Sequence, residues 1–262
     1  MGNYISYKDI LTQIDINDGD IVTVSSDILQ LFLSCRENNE KFNVNTFIDT
    51  ILEKIGENGT LLIPTYNWGF CKGELFDYTN TSSQVGGLGN VALKRNDFKR
   101  TKHPIYSFAV SGYDKNYLCG LDNVSGWGTD SPFSYLYERG AKNLFIGLDY
   151  KDGLTFQHYI EEKVQVDYRF VKWFTAPYVD EGGRLEEKTY SMYVRDLELN
   201  VKTAISPLMD DILLKEGCYI KYSINNIHYS LLTDLHRVGN LAEYDFKTKG
   251  GLIIPYERDA KV

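Results

Sequence analysis

The chain has 262 residues, 43% hydrophobic and 24% charged, enough to bury a substantial core, though length alone leaves one large domain or two small ones open. A formal charge of -8 argues against a partner that is gripped through clustered Lys and Arg, so no nucleic acid is expected. No run approaches the roughly 18 apolar residues of a membrane span, and Met1 to Ser6 lacks the basic and apolar stretches of a signal peptide, so the expected place is the cytoplasm with no membrane partner.

Apolar periodicity alternates between strand-like and helix-like segments, the signature of an α/β domain. Residues 21–24 read as a strand and 47–55 as an amphipathic helix. Residues 59–64 read as a buried strand closed by proline, and 85–93 as a helix opened by the polar stretch 79–84. Residues 106–110 and 143–148 read as further strands, the second a clean apolar run after the turn Arg139-Gly140. Residues 155–164 read as the next helix, with Thr155 placed to cap it after an Asp152-Gly153 turn. Beyond it, 169–178 reads as aromatic and irregular, 185–194 as an exposed strand, and 205–215 and 227–238 as helices. With no repeat, linker or low-complexity stretch, residues 1–262 read as a single domain.

Cys35, Cys71, Cys119 and Cys218 form no C-x-x-C pair and read as buried free thiols. Of the four histidines, His228 and His236 fall in the expected C-terminal helix, with no polar motif around them. His103 precedes Pro104 at the entrance to a strand, where backbone bonding and a functional role are both open. His158 sits in the first turn of the helix that follows the strand 143–148, and open α/β sheets place ligands at the carboxyl ends of their strands. Glu161 lies three residues on, on the same helical face, able to orient the imidazole and raise its basicity. The same H-x-x-E spacing also describes an ordinary surface pair. It does not match H-E-x-x-H, and no metal is read. No nucleophile elbow or P-loop occurs; Gly86-Gly87-Leu88-Gly89 is the nearest glycine cluster, suited either to an anion or carbonyl oxygen at exposed N–H groups or to close helix packing.

Several segments taken in order, covering roughly residues 20 to 165, resemble the aminoglycoside 3-N-acetyltransferase family. They are Val24-Ser25-Ser26, Gly59 to Thr65, Phe76-Asp77 with Thr81 to Gly86, Arg100 to Pro104 with Ser107, Ser131-Pro132-Phe133 with Leu136-Tyr137, Gly147, and Thr155 to Glu161. The resemblance implies a three-layer α/β/α fold with a mixed central sheet, acetyl-CoA or another acyl-CoA as donor, no metal, and a catalytic base at His158. Backbone amides around Ser25 and Ser26 would meet the thioester oxyanion. Ser82, Ser83, Val85 and Gly86 fall where the family holds pantetheine and phosphates, and His103 joins that donor-binding set.

The chain also departs from the family pattern. Val24 replaces a histidine before the paired serines. The acidic residues that meet a cationic aminoglycoside give way to a stretch containing Trp68, Lys72 and Glu74. No Asp or Glu occurs at 190–194, where the family places a carboxylate that helps the base, which makes Glu161 and Asp77 the candidates for that task. Tyr66, Trp68, Glu74, Arg169 and Trp173 are the acceptor-binding candidates. With Lys72, Lys172 and Arg195, Arg169 would form a basic pocket suited to an anionic acceptor. The expected function is therefore acyl transfer from CoA to an amino sugar, a nucleotide-linked one for surface polysaccharide. Acetylation of an aminoglycoside is the alternative, and a non-catalytic sugar-binding protein the second. As a protein partner, a further copy of the chain in a homo-oligomer stays open.

Overall fold

The structure is a computed structural model that describes residues 4–199, 201, 202, 204–248, 257 and 258. Met1, Gly2 and Asn3, on which part of the N-terminal expectation rests, lie outside them. Strands β1 (Ile21–Ser26) and β2 (Thr60–Pro64) pair in parallel, and α1 (Leu29–Glu37) and α2 (Val44–Ile55) connect them. Asn43 caps α2 by accepting the N–H groups of Asn45 and Thr46, and its fully buried Phe47, Ile48, Ile51 and Ile55 recur at helical spacing. Next come β3 (Phe76–Asp77), α3 (Gly87–Ala92), β4 (Lys99–Arg100), β5 (Phe108–Gly112), α4 (Lys115–Gly120), α5 (Pro132–Glu138), β6 (Lys142–Ile146), α6 (Tyr150–Gly153) and α7 (Gln157–Val164). Two long strands follow, β7 (Arg169–Val179) and β8 (Leu185–Arg195), then β9 (Val201–Lys202), α8 (Leu208–Lys215), β10 (Tyr219–Ile224), β11 (Ile227–Leu232), α9 (Leu235–Thr248) and β12 (Glu257–Arg258).

The main sheet runs β10-β11-β6-β1-β2-β5-β4, parallel through β6, β1 and β2 and antiparallel elsewhere, so the central sheet is mixed as expected. Its pleat sorts the core into two clusters. Val22, Val24, Leu61, Ile63, Leu144 and Ile146 pack with Leu31, Phe47 and Leu88 of α1, α2 and α3. Leu62, Phe108, Val110 and Phe145 face the other way, toward Phe133 of α5, Ile160 of α7 and Val238 of α9. Helices therefore cover both faces, and a second sheet, β3-β7-β8, joins the latter side through Tyr178 and Tyr190. Among the described residues no helix is long and apolar enough to cross a membrane.

Three expectations need correction. Residues 169–178 are not irregular: β7 pairs with β8 from Arg169↔Arg195 to Val179↔Leu185. Residues 169–175 are exposed or half-buried, so one-sided burial never imposed the alternation that marks a strand. The run 227–238 is not one helix but β11 followed by the start of α9, because Asn225 and Asn226, at φ +53° and +61°, close a β10–β11 hairpin. His228 is thus a strand residue. Thr155 does not cap α7; Phe156 holds the cap position without a side-chain bond.

Candidate active site

β6 carries the chain to the carboxyl edge of the parallel strands, and α6 and α7 turn it back across that edge. Tyr159 and Ile160 anchor α7 in the core, which sets His158 and Glu161 on the side facing β7. Glu161 is 1% exposed, and both its oxygens are engaged. Oε1 accepts the Tyr168 hydroxyl at 2.6 Å, and Oε2 lies 2.6 Å from His158 Nδ1 and 2.9 Å from Arg169 Nε. Burial by itself would raise this carboxyl; the His158 hydrogen bond, the charge of Arg169 and the Tyr168 hydroxyl outweigh it and hold it below the usual carboxylate range. An ionised carboxylate only accepts, so Nδ1 donates to it and the second ring nitrogen is left to take a proton. The Trp127 ring, 5.0 Å away at 61°, packs edge-on against the imidazole. Such a pair can orient a general base.

His158 lines a cavity of about 430 Å³ at the ends of β1 and β2. Val24, Ser25, Ser26, Ile63, Pro64, Val85, Gly86, Leu88 and Gly89 form one side of it. Tyr66, Trp68, Tyr106, Leu148, Asp152, Gly153 and Thr155 form the other. A smaller cavity of about 180 Å³ shares His158, Asp152, Gly153 and Thr155 and adds Lys151, Glu161 and Ala204. The larger volume falls within the roughly 300–1,000 Å³ of small-molecule sites. Gly86, at φ +65°, lets the backbone close on β1: an added Cβ would come 3.3 Å from the Ser26 carbonyl oxygen.

The structure brings His158, Ser25, Ser26, Val85, Gly86, Tyr66 and Trp68 around the larger cavity, and Glu161 lines the smaller one beside His158. The remaining candidates stand elsewhere. Asp77 Oδ1 accepts the N–H groups of Thr79 and Asn80 and organises a turn at the end of β3, away from the imidazole. Ser83 folds its own loop, its hydroxyl donating to the Val85 carbonyl and accepting the Val85 N–H, while Ser82 lends its carbonyl to Asn67. His103 is fully buried, and its Nδ1 accepts the N–H groups of Ile105 and Tyr106. Glu74 and Trp173 are exposed and line neither cavity. Arg169 contacts His158 and Glu161 rather than the cavity wall. Lys72, Lys172 and Arg195 line neither cavity, so the expected basic pocket does not form. Among the described residues, Asp152 is, apart from His158, the one ionisable carboxylate or cation on the larger wall.

Asp152, Tyr106 and Trp127 belong to the site without standing out as site residues in the sequence, and Tyr168, which reads there as an aromatic that could stack on a sugar or base, bonds Glu161 instead. Asp152 reads there only as a turn, although its place between the strand 143–148 and His158 is a usable signal. Tyr106 and Trp127 are distant in sequence and carry none.

Fold and site together define a class: an α/β protein that presents a carboxylate-held imidazole to a small-molecule cavity at the carboxyl ends of parallel strands. Within that class the chain belongs to the aminoglycoside 3-N-acetyltransferase family, whose family model matches residues 36–239. It is 24% identical over 172 residues to the SPbeta prophage-derived aminoglycoside N(3')-acetyltransferase-like protein YokD of Bacillus subtilis (strain 168). That match takes in 57% of this chain and spans 62% of the length of that relative. Among solved structures, AAC-IIIb in its binary complex with CoASH superposes at a TM-score of 0.74 with 16% identity, covering 93% of this chain and 96% of that one. The YokD crystal structure superposes at 0.72 with 20% identity over 94% and 93% of the two chains. AAC-VIa bound to sisomicin gives 0.73 with 16% identity over 94% and 99%. These likenesses establish the shared fold.

Proposed function

We propose that the protein transfers an acetyl group from acetyl-CoA to an amino group of an aminoglycoside-type amino sugar, with His158 as the general base. The observation that carries this reading is the 2.6 Å contact between His158 Nδ1 and the buried Glu161 carboxylate on the wall of the strand-end cavity. Membership of the family and the CoASH complex of its structural neighbour support the donor. Two observations favour an aminoglycoside-type acceptor over a nucleotide-linked sugar. Among the described residues the larger wall offers Asp152 and no Lys or Arg, which suits an ammonium-bearing ligand better than a pyrophosphate. Sisomicin and a gentamicin are bound in neighbours of the same fold.

Acetyl-CoA supplies an acyl group activated as a thioester. The residues of the chain supply binding and proton transfer. Ser25, Ser26, Val85 and Gly86 hold the acyl end against the strand edge. Tyr66 and Trp68 offer flat faces to a sugar ring, and Asp152 a counter-charge to its ammonium groups. His158 takes the proton from the attacking amine at Nε2, and Glu161 steadies the imidazolium that results. Initial rates with acetyl-CoA against panels of aminoglycosides and nucleotide-linked amino sugars test the acceptor. Turnover confined to the nucleotide-linked sugars would reverse the choice. His158→Ala tests the base: unchanged acetyl transfer in that variant would remove the assignment.

A further inference from the structure

Arg169 is built into the base rather than into the substrate wall. Its side chain is 8% exposed and reaches from the first residue of β7 across to α7. Nη1 donates to the Tyr193 carbonyl at 3.1 Å, which ties the head to β8. Nε lies 2.9 Å from Glu161 Oε2 without the alignment of a hydrogen bond, so that contact is an ion pair. Nη2 lies 3.0 Å from His158 Nδ1. A guanidinium only donates and an ionised carboxylate only accepts, so Nδ1 cannot satisfy both neighbours. The Glu161 contact, at 2.6 Å, is shorter and charge-assisted, which assigns the Nδ1 proton to it. Arg169 is left presenting positive charge to an N–H edge.

That opposition has a use. A carboxylate beside an imidazole favours the protonated ring, and a ring already protonated cannot accept the proton of an amine. We infer that Arg169 is a positioning residue of the acyl transfer: it clamps the Glu161 carboxylate and offsets its pull on His158, leaving Nε2 to accept the proton of the amine. The inference rests on reading His158 as the base. The other polar groups around the ring do not duplicate this charge. Asp152 shares the cavity wall, Tyr106 lines it, Tyr168 bonds the far oxygen of Glu161, and the Tyr193 hydroxyl donates to the Val166 carbonyl. Lys151, on the smaller cavity, is drawn to Asp210 at 2.9 Å.

Titration of the His158 imidazole by NMR in the substrate-free protein separates this from a purely structural role. In R169M and R169Q the midpoint is expected to rise by about one pH unit, and the acid limb of kcat/KM to move with it. R169K keeps the charge but loses the fork, so its midpoint stays within about 0.3 unit while kcat falls severalfold. An unmoved midpoint in a folded R169M or R169Q protein overturns the inference. Should neither neutral variant fold, R169K decides, since a midpoint displaced there by about a full unit contradicts the charge argument and an unmoved one supports it. Full transfer activity in H158A strikes instead at the general-base reading, and the titration still reports on the ion cluster by itself.

Discussion

Glu161→Gln removes one charge and almost no volume from the centre of the site. Tyr168, whose hydroxyl donates to Oε1 at 2.6 Å, holds the amide oxygen in that place. The amide nitrogen then takes the position of Oε2 and confronts two donors, His158 Nδ1 and Arg169 Nε, which stand at 2.6 and 2.9 Å in the native protein. His158 relieves its clash by moving the ring proton to Nε2, which removes the lone pair that would accept the proton of the amine. The flipped amide keeps the native tautomer but turns its NH2 toward the buried Tyr168 hydroxyl. Either orientation deprives Arg169, 8% exposed, of its carboxylate counter-charge. A wrong-tautomer base lowers kcat by about 10²- to 10⁴-fold, and a stranded buried charge costs about 3 kcal/mol. For a chain of this size that is a Tm loss of roughly 6–12 °C. Stopped assays of CoA release with a sisomicin-type acceptor give the first quantity and scanning calorimetry the second. A variant with kcat within threefold of wild type would refute the reasoning, whatever its Tm.

Three further outcomes follow from the same geometry. Burial holds His103 down to about 3 from its ordinary 6.5. The unfolded chain thus takes up a proton near pH 6.5 that the folded chain refuses, and stability falls with pH through that window by about 1.4 kcal/mol per unit. Denaturant titrations of H103N between pH 6 and 4 should show a slope shallower by one proton, and an unchanged slope contradicts the neutral buried ring. D77A loses the acceptor for the Thr79 and Asn80 N–H groups and is expected to cost about 1 kcal/mol while leaving kcat/KM within threefold. A large activity loss at full stability would return Asp77 to the catalytic site. G86A, forced to hold φ +65° with its methyl 3.3 Å from the Ser26 carbonyl oxygen, should lose about 1–3 kcal/mol and raise the KM for acetyl-CoA severalfold. Normal donor kinetics would show that this stretch of wall is not the donor's.

The parallel strands are legible because each is buried on both faces and reads as an apolar run, as 143–148 does. The Ser131 cap before Pro132 also announces α5, a helix absent from the expected elements, since Ser at the cap and Pro at the first turn are local signals. β7 is illegible: its exposed first half satisfies its backbone through β8 alone and leaves no pattern in the side chains. His158 and Glu161 are legible as a pair because three residues of one helix bring them together. Arg169 is assigned from sequence to the acceptor because the β7–β8 pairing, which no local spacing reveals, is what sets it against Glu161.

That last error points to how the site is organised. α7 carries His158, the proposed base, and its carboxylate, while the second sheet carries the Arg169 guanidinium that meets both. The β7–β8 ribbon lies outside the main sheet, yet through Arg169 and the hydroxyl of neighbouring Tyr168 it fixes both oxygens of Glu161. The cluster of imidazole, carboxylate and guanidinium therefore spans two structural layers. Displacing the ribbon by even an ångström would release the carboxylate and leave a buried charge unpaired. On the proposed mechanism the position of the ribbon is a condition of the proton transfer, and changes in β7 or β8 that leave every cavity residue in place are expected to lower kcat more than they raise the KM for either substrate.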